Sequence, residues 1–170
     1  MRNGWHFVPA LLMLLVVTTS VVTYGSSLST ANTPTAMLLF VGDVTFKCQA
    51  PPRCLALDDP LADVAPWLAE ADLTIGNLEG TIALTGTARP GPYRFRADPA
   101  AAHVLAEAGF DLLSLANNHA LDYGPAALSE TGLHLKAAGI TPLGLKRENP
   151  VVKSVNGLRL AFLAYNAIID

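Results

Sequence analysis

Residues 110–124 read FDLLSLANNHALDYG, and this stretch does most to decide the fold. Its apolar first half, residues 110–116, is typical of a buried strand. A Gly-Pro pair at Gly124 then begins a predicted helix, because proline is favoured in the first helical turn. Between strand and helix lie two carboxamides and an imidazole, namely Asn117, Asn118 and His119. A strand that stops at such a cluster usually brings side chains to a site.

This stretch belongs to an alternation of strands and helices along the chain. Short apolar runs at 37–41 and 72–76 predict two earlier strands, and 140–143 predicts a later one. Asp-Pro pairs at Asp59 and Asp98 each predict a helix start, with Asp as the N-cap and proline in the first turn. The first of these helices is predicted to bury an apolar face made of Leu61, Val64, Trp67 and Leu68.

The remaining segments complete the pattern. Residues 80–97 are predicted to form a loop with one extended piece at 93–97. The second Asp-Pro helix is predicted to end at Gly109, a typical C′ residue. Alternating strands around Asn156-Gly157 are typical of a β-hairpin. The order of elements predicts an α/β fold with a parallel central sheet.

Ligands of such sheets bind beyond the carboxyl ends of the strands. Asp43 follows the first predicted strand, Asn77 and Glu79 follow the second, and the polar cluster quoted above follows the third. Carboxylates, carboxamides and imidazole coordinate divalent metals, so the pattern predicts a metal-assisted active site with Mn, Zn or Fe. Each cluster also has a plain structural interpretation, as a turn cap, a solvated acid or an asparagine turn. Asp122 is predicted either to cap the next helix or to orient His119.

Composition limits both location and partners. The chain has 170 residues and a net charge of −3, so we expect one domain with a core and no nucleic-acid partner. Residues 7–24 contain no charge, follow Arg2 and precede a stretch rich in Ser and Thr, which is the order of a signal peptide or signal anchor. We expect a leader or anchor at 1–25, a linker at 26–36 and a domain at 37–170. The domain would then be membrane-anchored outside the cytoplasm, or secreted.

Cys48 and Cys54 are the only cysteines of the chain. In an exported protein, two nearby cysteines more often pair than stay free, so a disulfide is predicted and free thiols are the alternative. A metal site is the weakest interpretation, because the two thiolates lack a second pair of Cys or His ligands.

The polar clusters resemble those of a known family, the bacterial poly-γ-glutamate capsule synthesis proteins called CapA. The resemblance covers residues 37–165, and its most specific part is the pattern Asn-Asn-His-x-x-Asp-Tyr-Gly. The residues that carry it are Gly42-Asp43, Asn77-Leu78-Glu79 and 115–124. It implies a fold like that of the calcineurin-like metallophosphoesterases, a sandwich of sheet and helices with a metal site at the strand ends.

The resemblance also implies roles for single residues. Asp43, Glu79 and Asn118 would bind a divalent metal. His119 would bind the substrate oxyanion or act as a general acid. The groups supporting them would be Asn77, Asn117 and Asp122.

The implied function is biosynthesis or export of a capsule, together with other membrane-bound capsule proteins and an anionic polymer. A metal-dependent phosphoesterase or hydrolase is the alternative, so whether the protein is an enzyme stays open. A polyanion would need local arginines, and the one cluster in the sequence, otherwise a solvated loop, is Arg89, Arg94 and Arg96.

Two departures from the metallophosphoesterase pattern matter. That pattern has a His two residues after its first Asp, where this chain has Thr45. It also has further His residues in its C-terminal part, whereas this chain has none after His134. We therefore expect an N-terminal fragment of a longer domain, incomplete at the C-terminus. A third interpretation of function follows, an inactive truncated fragment.

Overall fold

The computed structural model describes residues 33–46, 60–145 and 150–167. In chain order its elements are β1 (Leu38–Val44), α1 (Ala65–Leu68), β2 (Leu73–Leu78), β3 (Thr81–Ile82), β4 (Arg96–Ala97), α2 (Ala100–Glu107), β5 (Leu112–Ser114), α3 (Gly124–Ala137), β6 (Thr141–Leu143), β7 (Val151–Val155) and β8 (Leu158–Phe162). Four of the strands form a sheet in the order β1-β2-β5-β6, and every neighbouring pair is parallel. The predicted α/β class is confirmed.

The sheet lies between a helical layer and the β7–β8 hairpin. Side chains alternate across a strand, so the fully buried neighbours Leu112 and Leu113 on β5 point to opposite faces. Leu113 packs with residues of α2 and α3 in one apolar cluster. Leu112 packs with residues of β7 and β8 in a second cluster. Burial of each leucine contributes roughly 1.5–3 kcal/mol, so both faces hold β5 at the centre of the domain.

The predicted hairpin is confirmed. Asn156 and Gly157 form its turn with φ of +48° and +82°, the left-handed values of a type I′ turn that these residue types tolerate. The Asn156 amide donates to the carbonyl oxygen of Thr35 at 3.0 Å and to Asp72 Oδ1 at 3.1 Å. The turn is thereby tied to the segments that lead into β1 and β2.

The first predicted helix is wrong in its start, and only half of its predicted apolar face packs against the core. α1 has four residues and begins at Ala65, whereas the sequence pattern placed the start at Asp59. Pro66 lies in the first turn of α1, so the proline that begins the helix is this one, not the earlier one. Leu68 is buried and Leu61 packs against the core, whereas Val64 and Trp67 are exposed, at 41% and 69%.

α2 begins and ends where the sequence predicts. The Asp98 carboxylate accepts a hydrogen bond from the Ala100 N–H at 2.9 Å, which satisfies one of the free N–H groups at the helix start. Gly109 follows the helix with φ of +103°, the left-handed geometry of a C′ glycine. The chain then turns directly into β5.

α3 packs through small side chains more than through leucines. Leu135 is buried, as its spacing predicts, whereas Leu133 is 66% exposed. The other buried positions of the helix are Ala127, Thr131 and Gly132. β3 lies close against this helix, and a Cβ at Gly132 would collide with the Leu145 side chain, so small residues occur there.

Residues 80–97 contain more structure than the predicted loop. β3 and β4 pair in parallel as a separate two-stranded sheet, and β4 coincides with the end of the predicted extended piece at 93–97. The Thr131 hydroxyl on α3 accepts a hydrogen bond from the Ile82 N–H at 2.9 Å. β3 is therefore fastened to α3.

Glu130 fastens the next part of the same loop. Its carboxylate accepts hydrogen bonds from the N–H groups of Leu84 and Thr85 at 2.9 and 3.1 Å, and one from the Thr85 hydroxyl. The same carboxylate lies 3.3 Å from His134 Nε2. One side chain of α3 thus satisfies two backbone groups that no strand partner reaches.

Within the described residues, no helix is long and apolar enough to cross a membrane. The predicted leader or anchor at 7–24 and the predicted disulfide between Cys48 and Cys54 lie outside the described residues. Most of the predicted linker at 26–36 lies outside them as well. These three features stay predictions.

We expect Glu130 to make folding stability depend on pH in acid. Hydrogen bonds from the Leu84 N–H and the Thr85 hydroxyl lower the pKa of Glu130 from 4.5 to about 2. Because the folded-state pKa is lowered, the stabilisation is present above pH 4.5 and is lost as the pH falls toward about 2. Glu130→Gln should therefore flatten the fall of the urea midpoint over this pH range. Glu107→Gln, on the exposed side of α2, is the control, and an equal slope in both variants would contradict the assignment.

We also expect Gly86 to tolerate no side chain. Its φ is +90°, and a Cβ at this position would collide with the backbone carbonyl oxygen of Tyr123, just before α3. Gly86→Ala should lower the free energy of unfolding by about 1–3 kcal/mol, measured by urea denaturation. Gly91→Ala is the matched control, because Gly91 also has a positive φ, +146°, but open space around it. An equal loss in the control would show that the close approach does not matter.

Candidate functional site

Polar side chains from three parts of the chain meet at the carboxyl end of the sheet. Asp43 lies near the end of β1, opposite Asn77 on β2. The register of β1 shifts between Phe40 and Asp43, an irregularity of the kind that redirects side chains at functional edges. Glu79 comes directly after β2, and its N–H donates to the Val44 carbonyl oxygen at 2.9 Å. β1 and β2 therefore bring two carboxylates to one edge.

Two carboxamides join this edge to the segment that follows β5. Asn117 Nδ2 donates to Asn77 Oδ1 at 3.0 Å and to the Leu78 carbonyl oxygen at 2.8 Å. Asn117 Oδ1 accepts from the His119 N–H at 3.0 Å. Asn77 Nδ2 in turn donates to Asp43 Oδ1 at 2.6 Å. The result is a continuous chain of hydrogen bonds from the backbone of His119 to the carboxylate of Asp43.

The imidazole of His119 is held on three sides and is 9% exposed. Its Nδ1 lies 2.8 Å from Asp122 Oδ2. Its Nε2 lies 3.6 Å from Glu79 Oε1. The Phe95 ring packs on it, with 4.4 Å between the ring centroids. The ring therefore has one nitrogen fixed by a carboxylate and the other turned toward the acidic edge of the sheet.

Asp122 contacts His119 rather than the helix that follows it. No side chain makes a hydrogen bond that caps the start of α3. The Asp122 carboxylate is fully buried, accepts from the Phe95 N–H at 2.7 Å, and lies 3.2 Å from Arg89 Nε. The carboxylate was predicted either to cap the helix or to face His119, and in the structure it faces His119. A carboxylate behind a histidine fixes the ring orientation and its tautomer.

Glu79 lies in an electrostatic setting that disfavours its charge. Burial raises its pKa, the nearby carboxylate of Asp43 raises it further, and Asp122 adds to the same effect. His119 acts in the opposite direction and lowers the pKa of Glu79. Because two carboxylates lie close together, a cation or a shared proton would relieve their repulsion.

The donors at this edge suit a divalent cation in charge and in chemical type. Asp43 is exposed, Glu79 is half-buried beside it, and no described residue makes a hydrogen bond with the side chain of Asn118. Two carboxylates and a carboxamide oxygen are ligands that hard and borderline cations accept. Across residues 33–46, 60–145 and 150–167, however, no three His, Cys, Asp or Glu side chains are grouped to hold a metal. The carboxylates of Asp43 and Glu79 would therefore need the Asn118 carboxamide and a further group to complete the shell.

Two residues of the site have no signal in the sequence pattern. Arg89 and Phe95 both come from the 80–97 loop, which has no apolar period that would place its side chains. Arg89 was grouped with Arg94 and Arg96 as a candidate polyanion contact, but its guanidinium faces Asp122. Arg96 stacks on the Tyr123 ring at 4.3 Å, which leaves Arg94 as the exposed member of the three. The roles of Arg89 and Phe95 are evident only from their contacts with the segment that carries His119 and Asp122.

Cavities among the described residues border the site, two of them of several hundred Å³. A groove of about 510 Å³ between β1 and α1 has mostly apolar walls, including Trp67, and reaches Asp43 only at its end. A second cavity of about 350 Å³, between the sheet and β8, is lined in part by Asn77 and Ser114. The larger groove does not touch His119, so the polar contacts locate the site better than cavity size does.

The two remaining histidines of the described part take no part in the site. His103 is exposed on α2. His134 is half-buried on α3 beside Glu130. They are useful as controls for substitutions of His119.

Comparisons with known proteins identify the family of the chain. The sequence model of a family described as "Bacterial capsule synthesis protein PGA_cap", whose fold is metallophosphoesterase-like, matches residues 37–169. The chain is also similar to the capsule biosynthesis protein CapA of Bacillus anthracis, with 31% identity over 111 residues. This alignment takes in 60% of the chain and 27% of that relative, so the chain spans about a quarter of the relative's length. On the strength of the family match, this chain belongs to the bacterial capsule synthesis proteins of the PGA_cap family.

Proposed function

We propose that this domain takes part in making or exporting a capsule polymer of the poly-γ-glutamate type. The observation that supports this most is the family match, because residues 37–169 include every residue of the site. The likeness to a capsule biosynthesis protein of Bacillus anthracis supports the same class of process. Other membrane-bound capsule proteins and the anionic polymer would be its partners.

The proposed location is the outer side of the cytoplasmic membrane. The uncharged residues 7–24, which follow Arg2, support it, because this is the order of an export signal or anchor. Either form would bring the domain to the side where a capsule is assembled. A cleaved leader would release the domain, and an uncleaved one would hold it at the membrane.

A specific observation favours a second candidate, a metal-dependent phosphoesterase or hydrolase. Asp122, His119 and Glu79 lie in line, with 2.8 Å and 3.6 Å between successive side chains. In such an arrangement the carboxylate holds the proton on Nδ1, and Nε2 accepts a proton from a reacting group or returns one to it. Because burial and the nearby carboxylate of Asp43 raise the pKa of Glu79, this side chain takes up a proton more readily than an ordinary glutamate.

A divalent cation would complete this second candidate. Asp43, Glu79 and Asn118 are the residues that would hold it. When bound, it would polarise a phosphoryl or acyl group and so stabilise the charge that develops during cleavage. His119 would remain the residue that moves the proton, and the carboxamides of Asn77 and Asn117 would keep Asp43 oriented.

The two candidates predict different outcomes for His119→Gln in a strain whose own gene is deleted. If the site is catalytic, the variant should reduce capsule formation by about 10²-fold or more, the usual effect of losing a general acid or base. The capsule polymer would be measured on cells that express the wild-type or variant protein at equal level. His103→Gln, at the exposed histidine of α2, is the matched control and should keep wild-type capsule.

Other outcomes of this experiment separate the interpretations. A normal capsule with His119→Gln would contradict catalysis and leave a scaffold role. A normal capsule in the deletion strain itself would contradict the capsule role. A wild-type gene that fails to restore the capsule would favour the inactive fragment.

We expect Mn²⁺ to stabilise the protein through Asp43 and Glu79. At about one hundred times its dissociation constant, a ligand adds about 2.7 kcal/mol, which raises the melting temperature of a domain this size by roughly 5–10 °C. Thermal denaturation with and without Mn²⁺ measures the shift. Asp43→Asn and Glu79→Gln should abolish it, whereas Asp63→Asn and Glu107→Gln, at positions away from the site, should keep it. A shift that survives the first two substitutions would place the metal elsewhere.

A further inference from the structure

Arg89 contacts the segment that carries His119 at three points. Its Nε lies 3.2 Å from Asp122 Oδ1. Its Nη2 donates to the Asn118 carbonyl oxygen at 2.9 Å. Its backbone N–H donates to the Asp122 carbonyl oxygen, also at 2.9 Å. One residue of the loop therefore holds both ends of the turn 118–122 and the carboxylate at its end.

We propose that Arg89 is a positioning residue that sets the orientation and the tautomer of the His119 imidazole through Asp122. The use that the protein makes of His119 rests on the proposed function. The positioning itself rests on the three contacts of Arg89 and on the burial of Asp122.

The burial of Asp122 makes a cation necessary. A fully buried carboxylate is stable only with a charge partner and hydrogen-bond donors. Arg89 faces one oxygen of Asp122, and the Phe95 N–H and His119 Nδ1 face the other. Without the Arg89 guanidinium, the Asp122 carboxylate would lose the charge partner that keeps it ionised and in place to accept a hydrogen bond from His119 Nδ1.

The oriented acceptor decides which nitrogen of His119 carries the proton. An ionised carboxylate accepts hydrogen bonds and donates none. Asp122 Oδ2 lies at hydrogen-bond distance from Nδ1, whereas Glu79 Oε1 lies beyond it from Nε2, so the contact with Asp122 favours the proton of the neutral ring on Nδ1. Nε2 is then left with its lone pair, and it faces Glu79 Oε1 at 3.6 Å. Arg89 thus acts on the reactive nitrogen from the far side of the ring.

Arginine suits this position better than lysine does. The planar guanidinium presents donors in a fork, so it reaches Asp122 with Nε and the Asn118 carbonyl oxygen with Nη2 at the same time. A lysine ammonium would keep the charge but could not hold both points in the same geometry.

The test is the tautomer of His119, measured by long-range ¹H–¹⁵N correlation spectra of the full chain with labelled histidines. The chain has four histidines, and the signals missing in His119→Gln identify those of His119. At about pH 8, above the titration of an ordinary imidazole, the wild-type ring should be the Nδ1–H tautomer. Arg89→Gln should convert it to a mixture or to the Nε2–H tautomer. Arg159→Gln, at an exposed arginine of β8, is the control and should leave the tautomer unchanged.

Each outcome decides the proposal. A folded Arg89→Gln variant that keeps the Nδ1–H tautomer overturns it. If Arg89→Gln fails to fold, Arg89→Lys is measured instead. Changed ¹⁵N chemical shifts of Nδ1 and Nε2 of His119 in that folded variant support the proposal, and wild-type chemical shifts overturn it. The tautomer measurement does not depend on activity, so it can separate the two proposals. If the tautomer responds to Arg89 but His119→Gln still makes a normal capsule, only the catalytic role of His119 is contradicted.

Discussion

A buried carboxylate can keep its charge only where a cation and hydrogen-bond donors reach it, and Asp122 obtains these from separate parts of the chain. The guanidinium of Arg89 and the backbone N–H of Phe95 come from the loop between β3 and α2, and the imidazole of His119 comes from the turn after β5. Since each of these groups must arrive at one point, the loop, the turn and the start of α3 are fixed relative to one another. The arrangement of the site therefore depends on the contacts that keep Asp122 charged.

The balance of charge at the sheet edge follows from the same arrangement. Asp122 is matched by Arg89 behind the ring, while Asp43 and Glu79 lie in front of it with no cation of the described chain assigned to them in the same way. The buried carboxylate of Asp122 is thus paired with a cation, whereas the more exposed carboxylates of Asp43 and Glu79 are not paired in this way with an arginine or lysine among the described residues. This asymmetry is what a site for a cationic or protonated ligand requires, and an inert cluster of acids does not need it.

Local signals predicted the frame of the molecule well. Apolar runs predicted β1, β2 and β5, and the Asn156-Gly157 pair predicted the hairpin, because these signals depend only on near neighbours along the chain. The same reasoning placed Asp43, Glu79 and His119 at one edge, since parallel strands end on the same side.

Features that depend on contacts across the chain could not be predicted in this way. The partners of Arg89 and Phe95 are distant in sequence, and nothing in the 80–97 loop marks which side chains turn inward. The start of α1 was misplaced because two prolines, Pro60 and Pro66, each carry the same helix-start signal and only packing selects between them. Trp67 shows the same limit, since its spacing fits a buried stripe that a four-residue helix cannot present.

The hydrogen bonds that join Asn117, Asn77 and Asp43 run in one fixed direction. Deamidation of one of these amides would therefore break the series. The orientation of the Asn117 amide is forced, because the Leu78 carbonyl can only accept and the His119 N–H can only donate. The Asn77 amide must follow it, which leaves its nitrogen facing Asp43. Deamidation of Asn77 would replace that nitrogen with a carboxylate oxygen, and two acidic oxygens would then face each other across 2.6 Å. Such a change would disturb the carboxylate edge of the site while leaving the fold in place.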